Sequence, residues 1–148
     1  MKIVQITDDR HQVIEPDWLA RAEQVHRQLR PQVPADYSAQ MRKIFQGGGE
    51  MCVCTDSGGN GVLGLAVYRA FENTFTGCRF YVDDLVTDET RRSQGVGHKL
   101  MQFLENEAKR RGANYLELES GTQRTQAHKF YFREGMTISS FSFRKALR

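Results

Sequence analysis

The chain has 148 residues, 39% hydrophobic and 26% charged, which suits one domain with a real core. Its 21 basic and 18 acidic side chains leave a net charge of +3, mixed along the chain instead of gathered in a stripe. That argues against nucleic acid as a partner and suits an anionic cofactor. Three cysteines with no CxxC spacing give no disulfide framework and point to a reducing, cytoplasmic setting. No His/Cys cluster completes a metal site with Cys52 and Cys54, the N-terminus MKIVQITDDR lacks an apolar signal core, and no segment is long enough to span a membrane.

In chain order, Lys2 to Thr7 alternates and predicts a short strand. Glu15-Pro16-Asp17 opens a helix whose apolar stripe is Trp18, Leu19, Ala22, Val25, His26 and Leu29, and Pro31 and Pro34 end it. A second helix is expected from about Ser38 to Gln46, stopped by three glycines. Met51 to Thr55 and Val62 to Tyr68 read as a hairpin around the glycine-rich turn Asp56 to Gly61, and Glu72 to Gly77 turns into a fourth strand. A helix from His98 to Arg111 buries Val96, Leu100, Phe103, Leu104 and Ala108, with Gly112 placed for a left-handed C-cap. Tyr115 to Glu119 alternates as strand five and, after a helical crossover, should run parallel to strand four. A polar loop, a short helix from Gln126 to Arg133, and a terminal strand or hairpin within Met136 to Ala146 complete the order.

The pattern predicts an α/β (α+β) fold. Its sheet is mixed and mostly antiparallel, with strands four and five a parallel pair and helices on both faces. The chemistry is expected where those two strands splay. Thr90 to Gly97 is a polar loop carrying Arg91 and Arg92, and it ends in Gly95-Val96-Gly97 at the start of the long helix. Orphan N–H groups and the helix dipole make such a terminus attractive to a phosphate, glycine permits close approach, and arginine adds charge-assisted donors. The bland alternative is a solvated basic turn. In the strand before it, Phe80 and Val82 share a face, yet the next apolar residue is Leu85, one position late. That phase slip is the mark of a β-bulge.

Arg92-x-x-Gly95-x-Gly97 after a strand, with Ala127-His128-Lys129-Phe130-Tyr131 and Gly135-Met136 downstream, resembles the GNAT superfamily of acetyl-CoA-dependent N-acetyltransferases. The order of elements is similar from end to end. The C-terminal half looks especially like the small bacterial acetyltransferases of aminoalkylphosphonates and related small amines. The resemblance implies a single acetyltransferase domain over residues 1–148. In it, the backbone N–H groups of Arg92, Ser93, Gln94, Gly95, Val96 and Gly97 would cradle the CoA pyrophosphate, with Arg91 adding a charged donor to the cofactor. Val86 and Thr87 would pair with the pantetheine arm, and the N–H near Leu85 would polarise the acetyl carbonyl. Tyr131 would protonate the leaving thiolate, and Asp84, or less readily Asp83, would take the amine's proton directly or through water; holding a neighbouring loop is the equal alternative for Asp84. Arg124, standing in a loop where the family often has asparagine, and His128 would add contacts, with a packing role beside strand five the stronger reading of His128. A closed pocket near Trp18, Tyr37 and Phe75 would favour a small-molecule amine as acceptor. The rivals are a dinucleotide-binding enzyme using Gly95, Gly97 and Glu117, a non-catalytic acetyl-CoA-binding regulatory module, and a protein or peptide N-acetyltransferase. An edge strand offers a route to a homodimer.

Overall fold

A computed structural model describes residues Met1–Arg148. The elements are β1 Lys2–Gln5, α1 Pro16–Leu29, α2 Tyr37–Gln46, β2 Glu50–Thr55, β3 Val62–Asn73, β4 Gly77–Thr87, α3 Val96–Arg110, β5 Leu116–Leu118 and α4 Thr125–Arg133, with a short 3-10 turn Glu89–Arg91 ahead of α3. They fall into two units, Met1–Glu117 and Leu118–Arg148.

In the first unit the strands follow one another across the sheet in chain order. β1 to β4 are antiparallel neighbours, and β5 returns parallel to β4 after α3. β2 is buried along its whole length because both of its faces are covered. Met51 and Val53 join Leu65 and Val67 of β3 in a cluster with Leu19, Ala22 and Val25 of α1 and Tyr37, Met41 and Phe45 of α2. Alternation turns Cys52, Cys54, Ala66 and Tyr68 to the other face, under α3. There Tyr68 stacks on Phe80 at 5.4 Å and meets Phe103 edge-on at 6.1 Å. The sheet therefore carries helices on both faces, as the pattern predicts.

Local chemistry sets the helix ends. Pro16 occupies the first turn of α1, and the Asp36 side chain accepts from the Ala39 N–H to start α2 one residue earlier than expected. Gly112 closes α3 with φ 77°; its N–H reaches the Lys109 carbonyl and the Ala113 N–H reaches that of Ala108, the paired bonds of a Schellman cap. Arg111 then pairs with Glu50, which is only 1% exposed, and ties that end of α3 to β2.

Three expectations are corrected. β3 and β4 run further than predicted, to Asn73 and from Gly77, because Asn73 closes a tight turn by accepting from Phe75 N, Thr76 N and Thr76 Oγ1. β5 is shorter, three residues. Residues 136–148 of the second unit form no strand or hairpin, and Ile138, Phe141 and Phe143 are exposed. The period of two is broken between Ile138 and Phe141, and alternation alone supplies no ladder partner.

Candidate functional site

The phase slip in the sequence is a bulge in the structure. Asp84 of β4 faces Val67 and Val82 faces Tyr68, so Asp83 is the extra residue. Two consecutive acids stand at the insertion, and each carboxylate has its own partners. Asp83 accepts from Arg69 of β3, at 2.8 Å from Nε and 2.6 Å from Nη2. Asp84 accepts from His26 Nε2 at 2.7 Å and from Arg30 Nε at 2.7 Å, while Arg30 Nη2 also donates to the Asp83 carbonyl at 3.2 Å. His26 is 2% exposed, and its Nδ1 lies 2.8 Å from the buried Tyr37 hydroxyl. Burial alone would raise the Asp84 carboxyl, but the hydrogen bonds and charges of His26 and Arg30 outweigh it and hold the group below the usual carboxylate range. Burial pushes the Tyr37 hydroxyl far up, so it keeps its proton.

His26 and Arg30 were not singled out for chemistry in the sequence. The signal was present: they stand four apart, on one face of α1, and two such polar groups turned toward a sheet need an acidic partner. What the sequence does not say is which of its acids comes to meet them.

Past the bulge, β4 has an open edge. β4 has eleven residues and β5 three. Arg79, near the start of β4, holds Glu117 of β5 at 2.8 Å, so β5 lies against the first part of β4 and Leu85, Val86 and Thr87 run on beyond it. The loop that follows is exposed from Arg91 to Gly95 and contains two left-handed residues, Ser93 at φ 63° and Gly95 at φ 83°. A serine in that region is uncommon outside turns that shape a site, and left-handed residues in a short loop let N–H groups converge on an anion. The N-terminus of α3 has no side-chain cap. It sits low on the sheet because Gly64 has no side chain: a Cβ there would fall 2.8 Å from Val96 Cγ1 and 3.2 Å from Leu100 Cδ1. Asp88 stiffens the approach by accepting from Thr90 N and Thr90 Oγ1. Asp88, Thr90 and Arg91 also form one lip of an open cleft of about 730 Å³, walled by α1 and the β2–β3 turn.

The expected pocket of Trp18, Tyr37 and Phe75 is not what lines this cleft. Tyr37 is buried against His26, Phe75 stands 92% exposed on the β3–β4 turn, and Trp18 lies under the Arg21 guanidinium at 4.0 Å. The dinucleotide alternative loses its acid, since Glu117 serves Arg79, and its tight turn, since eight residues separate Thr87 from Val96.

In the second unit, Tyr131 lies on α4, half-buried, its ring 5.5 Å from that of Phe130. Burial raises its hydroxyl and the Arg124 charge offsets this only in part, so it is a proton donor at neutral pH. His128 Nε2 lies 2.8 Å from the Gly121 carbonyl, a local tie between α4 and the loop before it.

Several known proteins are similar to this chain in sequence or in fold. Aminoalkylphosphonate N-acetyltransferase of Salmonella typhimurium (strain LT2) is 41% identical over 66 residues, 45% of this chain and 43% of that protein. The uncharacterized N-acetyltransferase YhdJ of Bacillus subtilis (strain 168) is 40% identical over 70 residues, 47% of this chain and 49% of that one. The chain thus spans about half the length of the curated relatives it matches. Among solved structures, AAC(6')-Iy in complex with a CoA bisubstrate analog superposes with a TM-score of 0.80 at 16% identity, over 99% of this chain and 97% of that one, a likeness of fold. The model of the acetyltransferase (GNAT) family matches residues 16–136, from the start of α1 through the bulge, the glycine loop and α4, and the chain belongs to that family.

Proposed function

We propose that the chain is an N-acetyltransferase that moves the acetyl group of acetyl-CoA directly to the primary amine of a small molecule. The observation that carries this is the juxtaposition on β4 and its loop: a bulge at Asp83, an open strand edge from Leu85 to Thr87, and an uncapped helix N-terminus seated on Gly64. These features suit acetyl-CoA part by part. The open edge offers backbone partners to an amide-bearing arm, and the exposed loop of Arg91, Arg92, Ser93, Gln94 and Gly95, with Val96 and Gly97 at the start of α3, offers N–H groups and guanidinium charge to a diphosphate.

Acetyl-CoA supplies the activated acetyl group. The protein's part is to orient it and manage protons. In direct transfer the N–H near Leu85 polarises the carbonyl. Tyr131 gives its proton to the departing thiolate, a role its raised pKa permits. Asp84 is ionised but weakly basic, so we assign it the water that receives the amine's proton, which it orders and stabilises without retaining the proton. Arg124 adds a contact to cofactor or substrate, whereas His128 is engaged with Gly121 and is left a local role. No covalent enzyme intermediate is needed, and the cysteines, buried or half-buried, take no part.

The relatives named for N-acetylation support an amine acceptor, and the name aminoalkylphosphonate N-acetyltransferase puts amines that carry an acidic group first in a screen. A panel of aminoalkylphosphonates, aminoglycosides, polyamines and lysine peptides, incubated with acetyl-CoA and a thiol-detecting reagent, tests this. We expect thiol release with a small amine and not with the peptides. Tyr131→Phe should lower turnover about tenfold or more while cofactor affinity holds. Binding of acetyl-CoA without thiol release from any amine would make the chain a regulatory module instead.

A further inference from the structure

We propose that Arg30 and His26 of α1, backed by Tyr37 of α2, are positioning residues that lock the bulge at Asp83 and so fix the direction of the backbone N–H groups beside it. Their effect on turnover rests on the direct-transfer function proposed above, in which such a group polarises the acetyl carbonyl.

A bulge is a soft place in a strand, because its extra residue has no ladder partner and a slip of one position reverses every side chain beyond it. Here each of the two acids at the bulge is held by a different element. Arg69 grips the Asp83 carboxylate from β3. Arg30 reaches both residues of the bulged peptide: Nε and Nη2 lie 2.7 and 2.6 Å from Asp84 Oδ1, and Nη2 also donates to the Asp83 carbonyl at 3.2 Å. One planar guanidinium therefore fixes the carbonyl and the carboxylate on either side of a single peptide plane. In a trans peptide the C=O and N–H point in opposite directions. Drawing the Asp83 carbonyl toward α1 turns the Asp84 N–H away from it.

His26 completes the hold. A carboxylate only accepts, so Nε2 carries a hydrogen for Asp84 Oδ2. Its other nitrogen, Nδ1, is hydrogen-bonded to the Tyr37 hydroxyl at 2.8 Å, and that bond holds the ring turned toward Asp84 whichever of the two partners carries the hydrogen. The rings meet edge-on at 5.7 Å, which fixes the imidazole plane as well. The chain Tyr37, His26, Asp84, Arg30 thus links two helices to the one irregular point of the sheet.

Arg30, 42% exposed on its side chain, can be removed without opening the core. Amide hydrogen exchange of the protein without ligand reads the lock directly. Arg30→Ala should speed exchange at Asp84 and Leu85 by about tenfold while Leu65 and Leu100 are unmoved, and Tyr37→Phe should act in the same direction by about threefold. With acetyl-CoA, the kcat of Arg30→Ala should fall about tenfold with KM for acetyl-CoA little changed and with the same loss across the neutral pH range, and Arg30→Lys should recover part of it. Unchanged exchange in both Arg30→Ala and Tyr37→Phe overturns the lock. Faster exchange with wild-type kcat overturns its role in positioning. A loss confined to low pH also overturns that role, since it would mean that Arg30 tunes Asp84 as a proton acceptor. If the wild type itself releases no thiol with any amine, the proposed function falls, and the exchange result still decides whether the lock exists.

Discussion

Burial alone would push the Asp84 carboxyl up; the His26 and Arg30 donors reverse that and hold it below its usual value of 3.8. The sign of the consequence follows from linkage. A carboxyl whose folded pKa lies below its unfolded one adds stability that is fully present above the unfolded value and is lost as pH falls through the folded one. Asp84→Asn should therefore cost about 1–3 kcal/mol at neutral pH, since an amide cannot satisfy the same donors. The gap between variant and wild type should close as the pH drops below 3.8. Denaturant melts at neutral pH and at successive steps into acid measure it, and a gap that stayed constant would mean that Asp84 is not ionised by its partners. At this scale the sequence was informative about residue types and silent about partners. Asp84, Arg91, Arg92 and Tyr131 were visible as chemical groups in a pattern. That His26 and Arg30 converge on Asp84 was not, because those pairs lie 58 and 54 residues apart and periodicity carries no long-range pairing.

Among the elements, α3 positions the loop, and it is fixed at both ends. Arg111 and the Gly112 cap hold its C-terminus to β2, and Val96 and Leu100 seat its N-terminus on Gly64. The second contact sets how close the loop comes to the edge of β4. A methyl at position 64 would stand 2.8 Å from the Val86 carbonyl and from Val96 Cγ1, closer than such atoms can come. Gly64→Ala should thus lift the first turn of α3, destabilise the fold by about 1–3 kcal/mol and weaken acetyl-CoA binding more than it weakens the amine's. Calorimetry of cofactor binding beside a thermal melt checks this; full affinity in a destabilised variant would detach the helix seat from the cofactor site. Elements with strong local signals were legible, including the bulge, read from Leu85 arriving one place late. The terminal strand was misread because Phe141 and Phe143 alternate without a neighbour to pair with, and the ends of β3 and β4 because the cap made by Asn73 is a side-chain device that hydrophobic patterning does not register.

For the whole molecule, a net charge of +3 is small, so the attraction for a polyanionic cofactor must be local. The loop meets that need with two exposed arginines beside a helix N-terminus; of the acids just before it, Asp88 is engaged by Thr90 while Glu89 is exposed, and Glu107 and Asp9 are paired with arginines at the far end of α3. Interactions of this kind are screened within about 10 Å at moderate salt, and the binding they support should weaken as salt rises. A ligand that binds only the folded chain adds stability set by its concentration relative to Kd, about 2.7 kcal/mol at a hundredfold excess. For a chain of this length that corresponds to a rise in Tm of about 5–10 °C. Acetyl-CoA should produce such a shift in low-salt buffer, a smaller one in high salt, and a smaller one again for Arg92→Ala at either. Dephospho-CoA, which keeps the diphosphate, should retain most of the effect, whereas pantetheine, which lacks it, should lose most of it. An equal shift from pantetheine would place the affinity in the arm along β4 and remove the loop from cofactor recognition.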